Sequence, residues 1–134
     1  MLLVRTTLKP SKIHGFGCFA AERIVRGTVV WVFDERIDLR IASARLSSLP
    51  PNAERFFLRY GYREMRDGDE IVTLCGDHAK HMNHADQPNV IEAGDGRQDN
   101  IAARDIEAGE ELTCNYYMFD LDAARKLSGA FDSE

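Results

Sequence analysis

The sequence predicts one mostly β domain with short helices, and three observations carry that reading. Val29-Val30-Trp31-Val32-Phe33 is a continuous β-branched and aromatic run behind Gly27, and residues 70–75 repeat the pattern behind the turn Asp67-Gly68-Asp69. Between Asp86 and Tyr117, short apolar pieces alternate with Pro88-Asn89, Gly94-Asp95-Gly96 and Gly109, the punctuation of several short strands joined by tight turns. Stretches suited to a helix are few, and at 134 residues the chain has room for a single domain.

Taken in order, residues 20–27 echo residues 102–109, with both alanines, the isoleucine and the glycine matched. The echo reads as one strand-and-turn device used twice, Ile packing inward and Gly supplying positive φ. Helices are expected over residues 39–49, over residues 52–60 behind Pro50-Pro51, and over residues 120–127. Residues 128–134 are small, polar and acidic, and are expected to fray.

Composition narrows the function. The formal charge is −5 and the pI about 5.4, which argues against holding nucleic acid by phosphate neutralisation, since that mode needs clustered Lys and Arg. An acidic chain suits a basic partner. No run approaches the roughly 18 apolar residues of a membrane span, and residues 1–5 are too short for a signal segment, so the expectation is a soluble, intracellular protein with no membrane partner. The three cysteines, Cys18, Cys75 and Cys114, form no CxxC and read as buried thiols rather than a disulfide frame or a zinc site.

Four segments carry chemistry. In Ser11-Lys12-Ile13-His14-Gly15-Phe16-Gly17-Cys18-Phe19, two glycines flank one aromatic and let backbone approach a ligand closely. His81-Met82-Asn83-His84-Ala85-Asp86-Gln87-Pro88-Asn89 crowds amides and imidazoles into a stretch without periodicity. Residues 110–117 form a strand ending in Tyr116-Tyr117, and residues 56–62 carry Tyr60 and Tyr62. Tyrosine hydroxyls need partners when buried, so these four rings suit the walls of a narrow channel. A rival constellation is His78, His81 and His84, spaced at every third residue beside Asp77 and Asp86, which on one helix face could share a metal. No HExxH accompanies it.

In order and spacing, the segments resemble the SET-domain family of protein-lysine methyltransferases, from about Thr6 to Phe119. Gly15-Phe16-Gly17 resembles the family's GxG motif, Asn83-His84 with Pro88-Asn89 its NHxxxPN motif, and Gly109-Glu110-Glu111-Leu112-Thr113-x-x-Tyr116 its GEELTxxY motif. The resemblance implies several small β-sheets with a C-terminal pseudoknot, a SET domain over residues 1–119 and a tail over residues 120–134. It also implies S-adenosyl-L-methionine as cofactor, bound by Lys12, His14, Gly15, Phe16, Gly17, Asn83, His84 and Tyr116. Tyr116 would be the catalytic residue, and Tyr60, Tyr62, Cys114 and Tyr117 would line the channel for the lysine of a basic, histone-like protein.

The departures matter too. Many relatives carry Cys where Asp86 stands, followed by a cysteine-rich zinc segment; here both are missing, as in minimal stand-alone members, and no metal is expected. Something else must then cover the channel, either the tail as a short helix or a second subunit, which makes a homodimer an expectation. Cys114 stands where many relatives have Phe or Tyr, which implies room for di- or trimethylation. Cytoplasmic location is expected, or nuclear for a eukaryotic protein or one acting on host chromatin. A SET-like module that binds basic peptides without turnover, and the histidine metal site, stay open as alternatives.

Overall fold

The computed structural model describes residues 1–96 and 99–132. The strands are β1 (Thr6–Pro10), β2 (Phe16–Ala20), β3 (Val29–Trp31) and β4 (Leu39–Ala42), followed after helix α1 (Pro51–Tyr60) by β5 (Tyr62–Arg66) and β6 (Asp69–Leu74). Then come β7 (Asn83–His84), β8 (Val90–Glu92), β9 (Asn100–Ala102), β10 (Thr113–Cys114) and helix α2 (Ala123–Leu127). Single 3₁₀ segments occupy Ser43–Ser48, His78–His81 and Tyr116–Met118. The strands form four small sheets: β1-β2, β4-β6-β5, β3-β9-β8, and the parallel pair β7-β10. Mostly β with short helices is therefore the observed class.

The predicted helix over residues 39–49 is a correction. Residues 39–42 are β4, paired antiparallel with β6 from Leu39↔Leu74 to Ala42↔Ile71, and only the following residues coil, as 3₁₀. β6 needs partners on both edges, and Arg40-Ile41 alternates well enough to supply one. The helix before Tyr60 forms as expected, with Pro51 in its first turn, where the missing N–H costs nothing. The tail helix starts at Ala123, later than expected, because residues 120–122 are held by side-chain bonds described below.

The internal echo has a structural meaning. Ile24 and Ile106 pair with each other, each N–H donating to the other's carbonyl at 2.8 Å, and both are buried at the centre of the core. Gly27 and Gly109 take φ of 84° and 92° where each segment turns away. Around this pair pack Cys18, Ala20, Val30, Met82, Val90, Ala102 and Leu112, so the core joins the strands that carry all three motifs. Among the described residues no helix is long and apolar enough to cross a membrane.

Candidate active site between two cavities

The glycine loop is shaped by Ser11. Its N–H donates to the Gly15 carbonyl at 2.8 Å and its Oγ accepts from Ile13 N–H at 2.9 Å, a serine turn that brings the chain back on itself. The same hydroxyl donates to Glu111 at 2.7 Å. Gly15 takes φ of 49°, and Gly17 faces Glu111 so closely that a Cβ would sit 2.6 Å from its Oε2. Into this corner comes Asn83, whose Nδ2 faces three acceptors: the carbonyls of His14 and Phe16 at 3.0 and 3.2 Å, and Glu111 Oε2 at 2.9 Å. These acceptors fix which amide atom is nitrogen, and they leave Asn83 Oδ1 as the acceptor for a ligand N–H.

β7 and β10 place the next residues. Thr113 pairs with Asn83 and Cys114 with His84, so the strand that precedes Tyr116 is fixed alongside the Asn-His pair. His84 Nδ1 accepts the Tyr116 backbone N–H at 3.1 Å, which leaves Nε2 to donate to Asp86 at 2.9 Å. Asn115 caps the short turn locally, its Oδ1 accepting from Tyr117 N–H at 3.0 Å. Tyr116 thereby points inward, and its hydroxyl donates to the Met82 carbonyl at 2.7 Å. Burial pushes the Tyr116 and Tyr62 hydroxyls and the Cys114 thiol above their ordinary pKa values, so all three are neutral across the physiological range.

Tyr116 is part of the wall of two cavities. The smaller, about 310 Å³, is lined by His14, Gly15, Phe16, Asn83, His84 and Tyr116, with Leu127, Phe131 and Asp132 from the tail. The larger, about 410 Å³, is lined by Tyr60, Tyr62, Cys114, Tyr116 and Phe119, among others. Each falls within the range of ligand pockets, about 300–1,000 Å³. Of the twelve residues singled out from the sequence, Lys12, Gly17 and Tyr117 line neither. Lys12 lies exposed on the loop, Gly17 serves Glu111, and Tyr117 is 61% exposed with its ring edge on His84. Successive residues of a 3₁₀ turn face different ways, so Tyr116 and Tyr117 cannot share one channel.

The tail contributes more than the sequence suggested. Phe131 is 8% exposed, and Asp132 lies 3.1 Å from His14 Nε2, so the expected fraying does not reach these two residues; Ser133 and Glu134 lie outside the described ones. Lys126 lines both cavities, with its ammonium 2.6 Å from Asp120, bonded to the Gly61 carbonyl, and 5.8 Å from the centre of the Tyr116 ring. No sequence signal singled out Lys126, because its role depends on where α2 docks.

Two further expectations meet the geometry. The acidic residues beside the third motif do not present a free charged face. Glu107 pairs with Arg23, Glu110 with Arg104, Asp122 with Arg63 and Asp120 with Lys126, while Glu111 is bonded to Ser11 and Asn83. The three histidines have separate partners: His78 bonds Thr6, His81 meets the Tyr60 ring edge-on, and His84 bonds Asp86 and Tyr116. Among the described residues, no three His, Cys, Asp or Glu side chains are grouped to hold a metal ion.

Comparison with known proteins places this geometry. A family model described as SET domain matches residues 15–117. A histone-lysine N-methyltransferase of Schizosaccharomyces pombe, H3 lysine-4 specific, is 35% identical over 90% of this chain. The chain spans only 14% of that relative's length. Polycomb Repressive Complex 2 of Chaetomium thermophilum bound to GSK126 shares the fold, with a TM-score of 0.68, 24% identity, and coverage of 93% of this chain and 17% of the other. The autoinhibited form of ctPRC2 bound to S-adenosylmethionine aligns with a TM-score of 0.66 at 23% identity, covering 95% and 17% of the two chains. With its three motifs joined at one site and the family pattern matched over residues 15–117, the chain belongs to the SET-domain family.

Proposed function

We propose that this chain is a protein-lysine N-methyltransferase that uses S-adenosylmethionine and acts on a lysine of a basic, histone-like protein. One observation carries the reading: Tyr116 lines both cavities, and we assign the smaller to the methyl donor and the larger to the accepting lysine. The residues present fit the cofactor. Asn83 offers Oδ1 to an amino group, the His14–Phe16 backbone runs along one side, and Phe16, Leu127 and Phe131 supply apolar surface. When bound, S-adenosylmethionine supplies a sulfonium methyl for in-line displacement by an amine.

The protein's own work is alignment and desolvation. A free lysine is neutral only about once in 10^3.4 molecules at pH 7, a cost of roughly 4.6 kcal/mol. A channel walled by Tyr60, Tyr62, Cys114, Tyr116 and Phe119 disfavours the ammonium, which offsets part of that cost. Tyr116, protonated and tied to the Met82 carbonyl, orients the reacting atoms rather than removing a proton. The Cys114 thiol is small, so the channel has space for a methylated amine to turn, and the reading includes di- or trimethylation. SET membership and the H3 lysine-4 relative support this reading, with a nuclear place of action for a eukaryotic protein.

The test is incubation with labelled S-adenosylmethionine and a panel of basic proteins, followed by mass spectrometry of the products. Methyl-lysine is expected. Cofactor binding in calorimetry with no transfer to any basic protein would favour the second reading, a SET-like module that holds basic peptides.

A further inference from the structure

Among the described residues, Arg59, Tyr60, Lys80, Tyr116 and Lys126 line both cavities, so they form the wall between donor side and acceptor side in the proposed reaction. Lys126 is set against Tyr116. Its ammonium lies 5.8 Å from the centre of that ring and 2.6 Å from Asp120 Oδ2, and it is bonded to the Gly61 carbonyl. Arg59 turns instead to the Tyr60 ring and to Asp132, 4.0 Å away. Asp120 lines the larger cavity, so the Lys126 ammonium is held on the acceptor side of the wall. A carboxylate, a carbonyl and the face of a tyrosine are groups that hold a primary ammonium. The chain thus keeps a lysine head group of its own at the wall where a substrate lysine must react.

We propose that Lys126 is an internal pseudosubstrate: in the free chain its ammonium holds the place at the shared wall that the amine of a substrate lysine must take, and the substrate binds by displacing it. The inference rests on the proposed function, since it takes the larger cavity as the substrate side. Protonated, Lys126 has no lone pair and takes no methyl, so it blocks the place without reacting there. Leaving asks little of the fold. Lys126 sits in the last turn of the short helix α2, and its flexible stem swings about its own bonds. Asp120 stays in place, because its Oδ1 accepts the backbone N–H groups of Arg63 and Asp122 at 3.2 and 2.9 Å. The result is a built-in threshold: the apparent Kd for a lysine substrate rises by the reciprocal of the fraction of chains in which Lys126 has swung away.

Lys9 and Lys12 are exposed, so they serve as internal standards for the reactivity of Lys126. The full chain, saturated with S-adenosylhomocysteine, is acetylated briefly with acetic anhydride, with and without the probe N-acetyl-lysine N-methylamide, and each lysine is read by mass spectrometry. The ratio of Lys126 to Lys9 and Lys12 cancels the reagent that the probe's own amine consumes. Lys126 should lag both standards, and its ratio should rise at least about threefold when the probe is saturating. The double variant Lys126→Met/Asp120→Asn removes both charges together, so neither is stranded, and Asn keeps the Oδ1 acceptor. It should bind the probe about three- to tenfold more tightly in calorimetry. Probe binding with the Lys126 ratio unmoved, or a double variant that binds no more tightly, overturns the pseudosubstrate and leaves the function standing. No binding of the probe by parent or variant overturns both.

Discussion

Asn83 and Glu111 are joined by a 2.9 Å hydrogen bond that ties the second motif to the third, and Gly17 of the first motif has no Cβ because that carboxylate fills the space. The glycine loop is therefore held by a corner of three motifs. In Gly17→Ala, a Cβ 2.6 Å from Glu111 Oε2 would push out a carboxylate fixed by Ser11 and Asn83. Cofactor affinity in calorimetry should fall at least tenfold while the circular dichroism of the fold is kept. Unchanged affinity would detach the corner from cofactor binding.

Tyr116→Phe keeps the ring and removes one hydroxyl whose present partner is the Met82 carbonyl. Turnover should fall about 10²-fold or more, with cofactor affinity within a few-fold, as for a group acting in the transition state. His84→Ala should affect both quantities, because His84 lines the smaller cavity and also accepts the Tyr116 backbone N–H.

Cys114 lines the larger cavity, so its volume should set product distribution. Native protein is expected to reach di- or trimethyl-lysine at long incubation, and Cys114→Tyr should shift mass-spectrometric products toward fewer methyls. Strict monomethylation in both would remove position 114 from that role.

Lys126 and Asp120 have side chains 12% and 1% exposed. Lys126→Met would strand the Asp120 carboxylate, and losing one partner of a buried pair costs roughly 3–5 kcal/mol. A clear drop in melting temperature is expected, together with weaker cofactor binding, since α2 leads to Leu127 and Phe131 on the cavity wall. Lys126→Arg should recover part of both.

Burial pushes the Cys18 and Cys75 thiols up from 9.0 to about 12. A raised native pKa means the unfolded chain loses its protons first, so this stabilisation is complete below about pH 9 and declines as pH rises toward 12. Urea midpoints should fall between pH 9 and 11, and fall less in Cys75→Ala. Tyr116 is also raised, so the rate should climb with pH through 9 as substrate lysine deprotonates, with no falling limb from Tyr116.

The sequence by itself determined the β class, α1, the inward isoleucines and the three motifs, because these depend on local alternation, turn residues and short-range spacing. Residues 39–42 read as helical in the local sequence, but their state is decided by pairing with β6, from Leu39↔Leu74 to Ala42↔Ile71, about 30 positions away. Tyr117 could not be told from Tyr116 by composition; one turn of backbone sends the first to solvent and the second to the shared wall. Only the tertiary structure brought Lys126, Phe131 and Asp132 to the site and set the acidic residues against their own arginines and lysine. Arg23–Glu107 and Arg63–Asp122 join segments tens of residues apart, and nothing in the local sequence encodes which partner those charges will find.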